Sequence, residues 1–367
     1  MYLQNLHIVN FKNYEEADIQ FSPKLNCFLG ENGSGKTNLL DAIFYLAFCK
    51  SFFNPIDQQL IKHQEAFMVL QADFIRKDEK ENIYCGLKKG QKKQFKRNKK
   101  LYERLSDHIG LIPMVMISPA DSQLIHEGSE SRRRFIDMII SQFDKRYLEN
   151  LIQYNRAVSQ RNRLLKKFME TRRFDATSLD VWDEQLLRYG NEIYEVRKSF
   201  VIDFIPLFQR HYQHISKEKE VVELEYDSQL NKAEFSAVLQ EHREKDRRFT
   251  YSTAGVHKDD LSFKIDGKPM KKFGSQGQQK TFLLSLKLAQ SEYLKNKMKL
   301  DPILLLDDIY DKLDQGRIEQ LMEVVQSEWF GQVFITDTDT ERLPKLFEQM
   351  NIKYKAFTVK EGEAHEQ

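Results

Sequence analysis

Leu25-Asn26-Cys27-Phe28-Leu29 runs into Gly30-Glu31-Asn32-Gly33-Ser34-Gly35-Lys36-Thr37, and Asn38–Cys49 follows with a helical apolar pattern. The segment Gly30–Thr37 fits G-x-x-x-x-G-K-[ST]. That spacing carries meaning because it sits between an apolar strand and a helix. Its glycines let the backbone curl until several N–H groups face one anion. The start of the next helix adds its positive dipole end. Lys36 is placed to reach terminal phosphates, and the Thr37 hydroxyl to ligate Mg²⁺, an ion that uses few protein ligands. Gly30, Glu31, Asn32, Gly33, Ser34, Gly35, Lys36 and Thr37 are therefore read as a site for ATP.

The partner of this loop should be a buried strand that delivers acids at its C-terminal edge, where open α/β sheets bind ligands. Ile303-Leu304-Leu305-Leu306-Asp307-Asp308 has that form. Asp307 is the candidate for the Mg²⁺ shell with Thr37, and Asp308 for orienting or activating the attacking water. Lys36, Asp307 and Asp308 form the candidate catalytic set. About 270 residues separate Lys36 from Asp307, a distance that suits ATPases whose nucleotide core is interrupted by other lobes. Phe273-Gly274-Ser275-Gln276-Gly277-Gln278-Gln279 opens a helix before the acidic strand. It resembles the ABC signature L-S-G-G-Q, with Gln276 in place of the first glycine. Ser275, Gly277, Gln278 and this helix start are candidates for binding a γ-phosphate held by a second subunit. Asp311-Lys312-Leu313-Asp314 resembles the loop that crosses the dimer interface of such ATPases.

Working outward, Ala17, Ile19 and Phe21 alternate with polar residues, as do Met68–Phe74 and Ile83–Leu87, which predicts an antiparallel sheet. Pro113–Ser118 is a continuous apolar run typical of a parallel strand. Residues 131–215 turn helical: Trp182, Leu186, Tyr189, Ile193, Val196 and Phe200 form one stripe. Leu151, Tyr154, Val158, Leu165 and Phe168 form another, interrupted by Arg161. Strands return at Val222–Tyr226 and Leu261–Ile265. The last third then alternates helix (278–295), strand (303–306), helix (314–327), strand (333–336) and helix (341–350), the mark of a parallel sheet. The expected architecture is α/β: an ABC-type ATPase core with an antiparallel sheet and an inserted helical lobe. Residues 1–130 and 216–367 are assigned to the ATPase lobe and 131–215 to the helical lobe.

The 367 residues are 41% hydrophobic and 31% charged, the balance of a globular protein without a membrane partner. No apolar stretch approaches a membrane span, and the N-terminus lacks the pattern of a secretory leader. Cys27, Cys49 and Cys85 are scattered, which excludes a disulfide framework or zinc cluster and suits the cytoplasm. A net charge of +2 confines nucleic-acid attraction to local patches. The segment 88–100 carries eight basic residues in thirteen: Lys88, Lys89, Lys92, Lys93, Lys96, Arg97, Lys99 and Lys100. These are the DNA-binding candidates; a lysine-rich hairpin is equally a way to keep a sheet edge soluble. Arg132–Arg134, Arg156, Arg161, Arg163, Lys166, Lys167, Arg172 and Arg173 form a more diffuse second patch. No motif points to base-specific readout.

These elements in this order resemble the RecF family over essentially the whole chain. Phe11-Lys12-Asn13-Tyr14, Ser118-Pro119-Ala120-Asp121, Arg132–Asp137 and Gly255-Val256-His257-Lys258-Asp259-Asp260-Leu261 match its sequence blocks, as do the Ser-Gln-Gly-Gln-Gln signature and the paired acids. Ala120, Val256 and Lys258 depart from it. The strand at 332–336 leads into Asp337-Thr338-Asp339 without the γ-phosphate-sensing histidine of many ABC ATPases. The resemblance implies that Lys12 and Asn13 lie near the nucleotide and that Gln123, a further candidate for the Mg²⁺ shell beside Thr37 and Asp307, couples it to the lobes. It further implies ATP and Mg²⁺ as cofactors, a head-to-tail ATP-dependent homodimer, and DNA binding on duplex, single-stranded or gapped substrates. Partnership with RecO and RecR in loading recombinase, and a weak ATPase that resets the clamp, follow from the same resemblance. The competing readings are a non-hydrolysing nucleotide-gated scaffold and a transport ATPase subunit.

Overall fold

The structure, a computed structural model, describes residues 1–216, 220–308, 318, 322 and 330–367. It comprises two compact units: Met1–Asp121 with Lys280–Gln367, and Ser122–Gln279. The loop Asp311–Asp314 lies outside the described residues, as does the helix expected over 314–327 apart from Ile318 and Met322, both helical and buried.

The first unit holds two six-stranded sheets. One runs in the order Glu363–Glu366, Lys355–Lys360, Leu25–Leu29, Val333–Asp337, Ile303–Leu306, Met114–Ile117. All its pairings are parallel except the terminal hairpin. Leu25–Leu29, Ile303–Leu306 and Val333–Asp337 are buried at every position, because both faces of a parallel sheet are covered. Register sets Asp337 beside Leu29, and Leu306 beside both Ile335 and Ile117. Gly30 and Asp307 thus emerge at one edge of the sheet. Helix Lys36–Phe48 is buried on almost every side, as expected of a helix apolar all round.

The other sheet is antiparallel, in the order Tyr14–Gln20, Tyr2–Phe11, Phe67–Arg76, Glu79–Lys88, Gln94–Arg97, Lys100–Leu101. Alternate residues face the core, among them Met68, Leu70, Ala72 and Phe74 opposite Leu87, Cys85, Ile83 and Glu81.

The second unit contains helices Ser129–Phe143, Lys145–Thr171, Ala176–Ser216 and Phe235–Phe249 with a small sheet of Lys268–Pro269, Asp260–Ile265 and Val222–Asp227. Helices Lys145–Thr171 and Ala176–Ser216 pack along one another. The buried line on the longer one is Leu179, Asp183, Leu186, Gly190, Ile193, Arg197, Phe200, Phe204 and Phe208. Trp182, Tyr189 and Val196, expected at its centre, are only half-buried flanks. The line passes through residues an apolar template skips. At Gly190 a Cβ would lie 2.4 Å from the Phe235 ring and 3.0 Å from Tyr154, so only glycine admits both rings. The partner helix buries Tyr147, Tyr154, Ala157, Arg161 and Leu165, so Arg161 belongs to its core line.

The boundaries at 130/131 and 215/216 do not coincide with those of the compact units. The strands Val222–Asp227 and Asp260–Ile265 pack on helices Ala176–Ser216 and Ser129–Phe143. Tertiary packing therefore draws residues 216–279 into the unit that periodicity assigns to helices alone.

Candidate functional site

The loop Gly30–Thr37 is shaped from several sides. At Gly35 (φ +122°) a Cβ would meet the Asn13 amide at 2.7 Å and the Tyr14 hydroxyl at 2.9 Å. At Gly30 it would meet the Val359 carbonyl oxygen at 2.2 Å. The Ser34 carbonyl accepts from Asn13 Nδ2 and from the Gly362 N–H, each at 3.0 Å. The Gly35 carbonyl accepts from the Tyr14 hydroxyl at 3.1 Å, which burial keeps protonated and donating. Lys36 Nζ donates to the carbonyls of Gly30 (2.6 Å) and Glu31 (2.9 Å), holding its charge in the loop's concavity.

The acidic strand meets this loop directly. The Thr37 hydroxyl donates to Asp307 Oδ1 at 2.8 Å, and the Thr336 hydroxyl to the same oxygen at 3.0 Å. Burial pushes the Asp307 carboxyl up to about 6; the Thr37 hydrogen bond opposes this and the Asp308 charge adds to it. Asp308, half-buried with φ +45°, donates its N–H to the Thr336 hydroxyl at 2.9 Å. Thr336 is a site residue that sequence reading missed; its only signal is its place at the end of the parallel strand adjoining the acids.

The residues fit a nucleoside triphosphate with one divalent cation. The Ser34 hydroxyl is buried at the loop with no hydrogen-bond partner, a polar group for which the chain itself supplies no partner. Thr37 and Asp307 offer one hydroxyl and one carboxylate, the sparse protein contribution that suits Mg²⁺ bound by phosphates and water. Among the described residues no cluster of three or more His, Cys, Asp or Glu forms an all-protein metal cage.

Nearby residues divide into those that touch the loop and those that support it. Asn13 touches it and also accepts from Asn38 Nδ2 at 2.7 Å. Lys12 is turned to Asp41 of the following helix, with Nζ to Oδ2 at 2.6 Å; that carboxylate also accepts from Ser51 and Phe52. Asp121 accepts from the Ser118 N–H at 2.8 Å and pairs with buried Lys287 at 2.6 Å. Where a sensing histidine is missing, buried Asp337 is bound by the Arg342 guanidinium through both oxygens. Gln123 is exposed at the start of a one-turn helix, Gln123–His126, in the second unit.

In the second unit, Ser275 caps the helix that begins at Gln276. Its hydroxyl accepts from the Gln278 N–H at 3.2 Å, and Gln278 Oε1 accepts from the Ser275 N–H at 2.6 Å, a reciprocal capping box. Gln278 also donates to Glu220. Ser275 is exposed and Gly277 half-exposed.

The two arginine- and histidine-bearing blocks converge in this unit. Arg132 grips Asp260 through both oxygens, at 2.7 and 2.8 Å, and Arg133 donates to the Asp259 carbonyl at 2.6 Å. Buried Arg197 binds Asp137, Asp259 and the Val256 carbonyl. His257 contacts the Tyr154 hydroxyl and the Ser252 carbonyl; burial brings it down to about 4, so it is neutral at physiological pH. These blocks build the unit's core. Arg161 likewise leaves the basic patch: it is fully buried and paired with Asp183 and Asp246, each at 2.6 Å.

The basic hairpin is only partly available. Lys93 is held by Asp57 at 2.7 Å and Arg97 by Glu81 at 2.8 Å, and Lys96 lies over the Tyr84 ring. Lys88, Lys89, Lys92, Lys99 and Lys100 are exposed. All three cysteines are buried free thiols. No helix among the described residues is long and apolar enough to cross a membrane.

The profile of the RecF/RecN/SMC N terminal domain matches residues 2–364. The DNA replication and repair protein RecF of Phocaeicola vulgatus is 51% identical over 100% of this chain and 98% of its own length. That of Flavobacterium johnsoniae is 52% identical over 98% of this chain and all of its own. A solved structure of the recombination mediator protein RecF with ATP, of the RecFOR pathway, superposes with a TM-score of 0.90 at 28% identity, covering 100% of this chain and 97% of that one. An Smc head bound to the C-winged helix domain of ScpA shares the fold at a TM-score of 0.59 and 15% identity, covering 100% of this chain and 97% of that one. The full-length match to these repair proteins places the chain in the RecF family.

Proposed function

We propose that this protein is an ATP-switched DNA-binding protein of recombinational repair and replication-fork maintenance in the cytoplasm. The observation that carries the reading is a division of labour within one chain. The loop, Lys36, Thr37 and Asp307 come together in one unit as the candidate phosphate and Mg²⁺ site, while the exposed, capped helix start at Ser275 lies in the other. Such halves work best reciprocally, each copy's Ser275 helix closing on its partner's ATP in a head-to-tail homodimer. Lys36 binds the terminal phosphates, Thr37 and Asp307 would hold Mg²⁺, and Asp308 orients the attacking water. Mg²⁺ when bound neutralises charge on the transferring phosphoryl group. DNA is then bound without base specificity, in duplex, single-stranded or gapped form, through exposed lysines such as Lys88, Lys89 and Lys92. The RecFOR context of the solved relatives supports RecO and RecR as partners in loading recombinase, with slow hydrolysis as the reset.

The test is light scattering with a slowly hydrolysed ATP analogue. Lys36→Met removes ATP binding and dimerisation together. Ser275→Arg keeps ATP binding and blocks dimerisation; a Ser275→Arg protein that still doubles its mass with nucleotide would defeat the reciprocal site. A non-hydrolysing gate is the second reading, favoured by the short side chain of Asp308 and its hold on Thr336. Steady-state phosphate release separates the two.

A further inference from the structure

The helical unit carries a second candidate site that the nucleotide reading does not use. Where helix Lys145–Thr171 ends and helix Phe235–Phe249 passes it, a concavity of about 350 Å³ opens to the surface. Its apolar lining is Leu165, Phe168, Met169 and Phe174. Met169 is 61% exposed and Phe174 38%, a high exposure for large apolar side chains held beside one another. Arg172 and Arg248 stand on the rim, both exposed, and neither is ion-paired among the described residues. Two further rim residues, Arg247 and Glu244, neutralise each other at 2.6 Å. The stretch 163–174 holds Arg163, Lys166, Lys167, Arg172 and Arg173 against the single acid Glu170.

We propose that this pocket docks an acidic peptide segment of a partner protein, anchored by one bulky apolar side chain. The concavity is of the size that takes a small number of side chains. Arginines on its rim are suited to grip carboxylates bidentately. An apolar anchor beside a rim of net positive charge is the arrangement that concentrates binding energy in few residues while selecting partners by charge.

A nucleic-acid strand fits the pocket less well. Base binding needs aromatic faces open for stacking. Here the Arg247 guanidinium already lies 3.9 Å over the Phe174 ring, and Phe168 meets that ring edge to face at 5.2 Å. The remaining lining, Leu165 and Met169, is aliphatic and offers no stacking surface.

The full-length protein is titrated into the fluorescein-labelled peptide Ser-Asp-Asp-Phe-Asp-Asp-Leu at low salt, with anisotropy as the readout. The expected result is saturable binding, weakened about tenfold or more when serine replaces the aspartates or alanine replaces the apolar residues. Met169→Glu and Arg248→Glu each weaken it about tenfold. Both positions are exposed, so unchanged melting temperatures and unchanged ATP binding accompany that loss. Binding indifferent to Met169→Glu, or no binding at all, overturns the proposal. A labelled oligothymidylate that binds instead, with the same dependence on Met169 and Arg248, overturns it in favour of a single-strand contact.

Discussion

Replacing Asp307 by asparagine should stabilise the nucleotide-free protein at neutral pH, because the wild-type carboxylate is held at a cost. The residue is 4% exposed, and burial raises its carboxyl from an ordinary 3.8 to about 6 despite the Thr37 hydroxyl. A raised acid binds its proton more tightly in the folded state than in the unfolded one. Its penalty is therefore absent below its unfolded pKa, grows as pH climbs toward about 6, and is complete above that. At about 1.4 kcal/mol for each factor of ten, the cost at pH 7.5 is about 3 kcal/mol. Asparagine removes the charge and keeps an oxygen for Thr37 and Thr336. Its new amide donor lacks a ready acceptor, which returns about 1 kcal/mol. The expected net gain is about 2 kcal/mol, measured by urea unfolding of both proteins without Mg²⁺. The gain should shrink steadily as the pH is lowered toward about 4.5. Added Mg²⁺ and ATP should stabilise the wild type and not the variant. An Asp307→Asn protein that is less stable at pH 7.5, or whose difference from wild type ignores pH, would refute the reasoning.

Arg161→Ala leaves buried Asp246 with only the neutral donors of Thr253 and Asp183 with Arg243 alone, and should cost about 3 kcal/mol in denaturant unfolding. Arg163→Ala, at an exposed position, should change stability by less than about 0.5 kcal/mol. Gly35→Ala forces a Cβ against Asn13 and Tyr14 at a φ that costs about 1–3 kcal/mol. ATP affinity, read by a fluorescent analogue, should fall about ten- to a hundredfold. Lys88→Ser, Lys89→Ser and Lys92→Ser together should weaken DNA binding and lower the salt slope by about one for each phosphate no longer neutralised. Lys93→Ser should instead lower the melting temperature, since its ammonium is committed to Asp57 and to the Cys49 carbonyl.

The parts of the candidate nucleotide site are legible in the sequence because they are local or strongly patterned. A glycine-rich loop between an apolar strand and a helix, and an apolar run ending in two acids, each announce their geometry without help from distant residues. Parallel strands such as Ile303–Leu306 were readable for the same reason. Charged residues inside the helical unit were not. Arg161 interrupts one apolar stripe and Arg197 lies beside the other, and nothing local tells a buried arginine from a solvated one. Their partners Asp246 and Asp259 lie far along the chain. Gly190 reads as a gap in a stripe until Phe235 and Tyr154 are seen filling it. Thr336 and Lys287 act only through neighbours that the sheet brings together. A three-stranded sheet, distinct in periodicity from the helices, packs on them, so the compact unit runs on past the helical stretch to Gln279.

Nucleotide is held to control DNA binding through a reciprocal dimer. The most direct test is duplex DNA binding by fluorescence anisotropy at one fixed salt concentration, without nucleotide, with ADP and with a slowly hydrolysed ATP analogue, paired with light scattering. Tightening with the ATP analogue alone, together with a doubling of mass, is the predicted result. DNA binding that is indifferent to nucleotide, or that tightens while the protein stays monomeric, would contradict it.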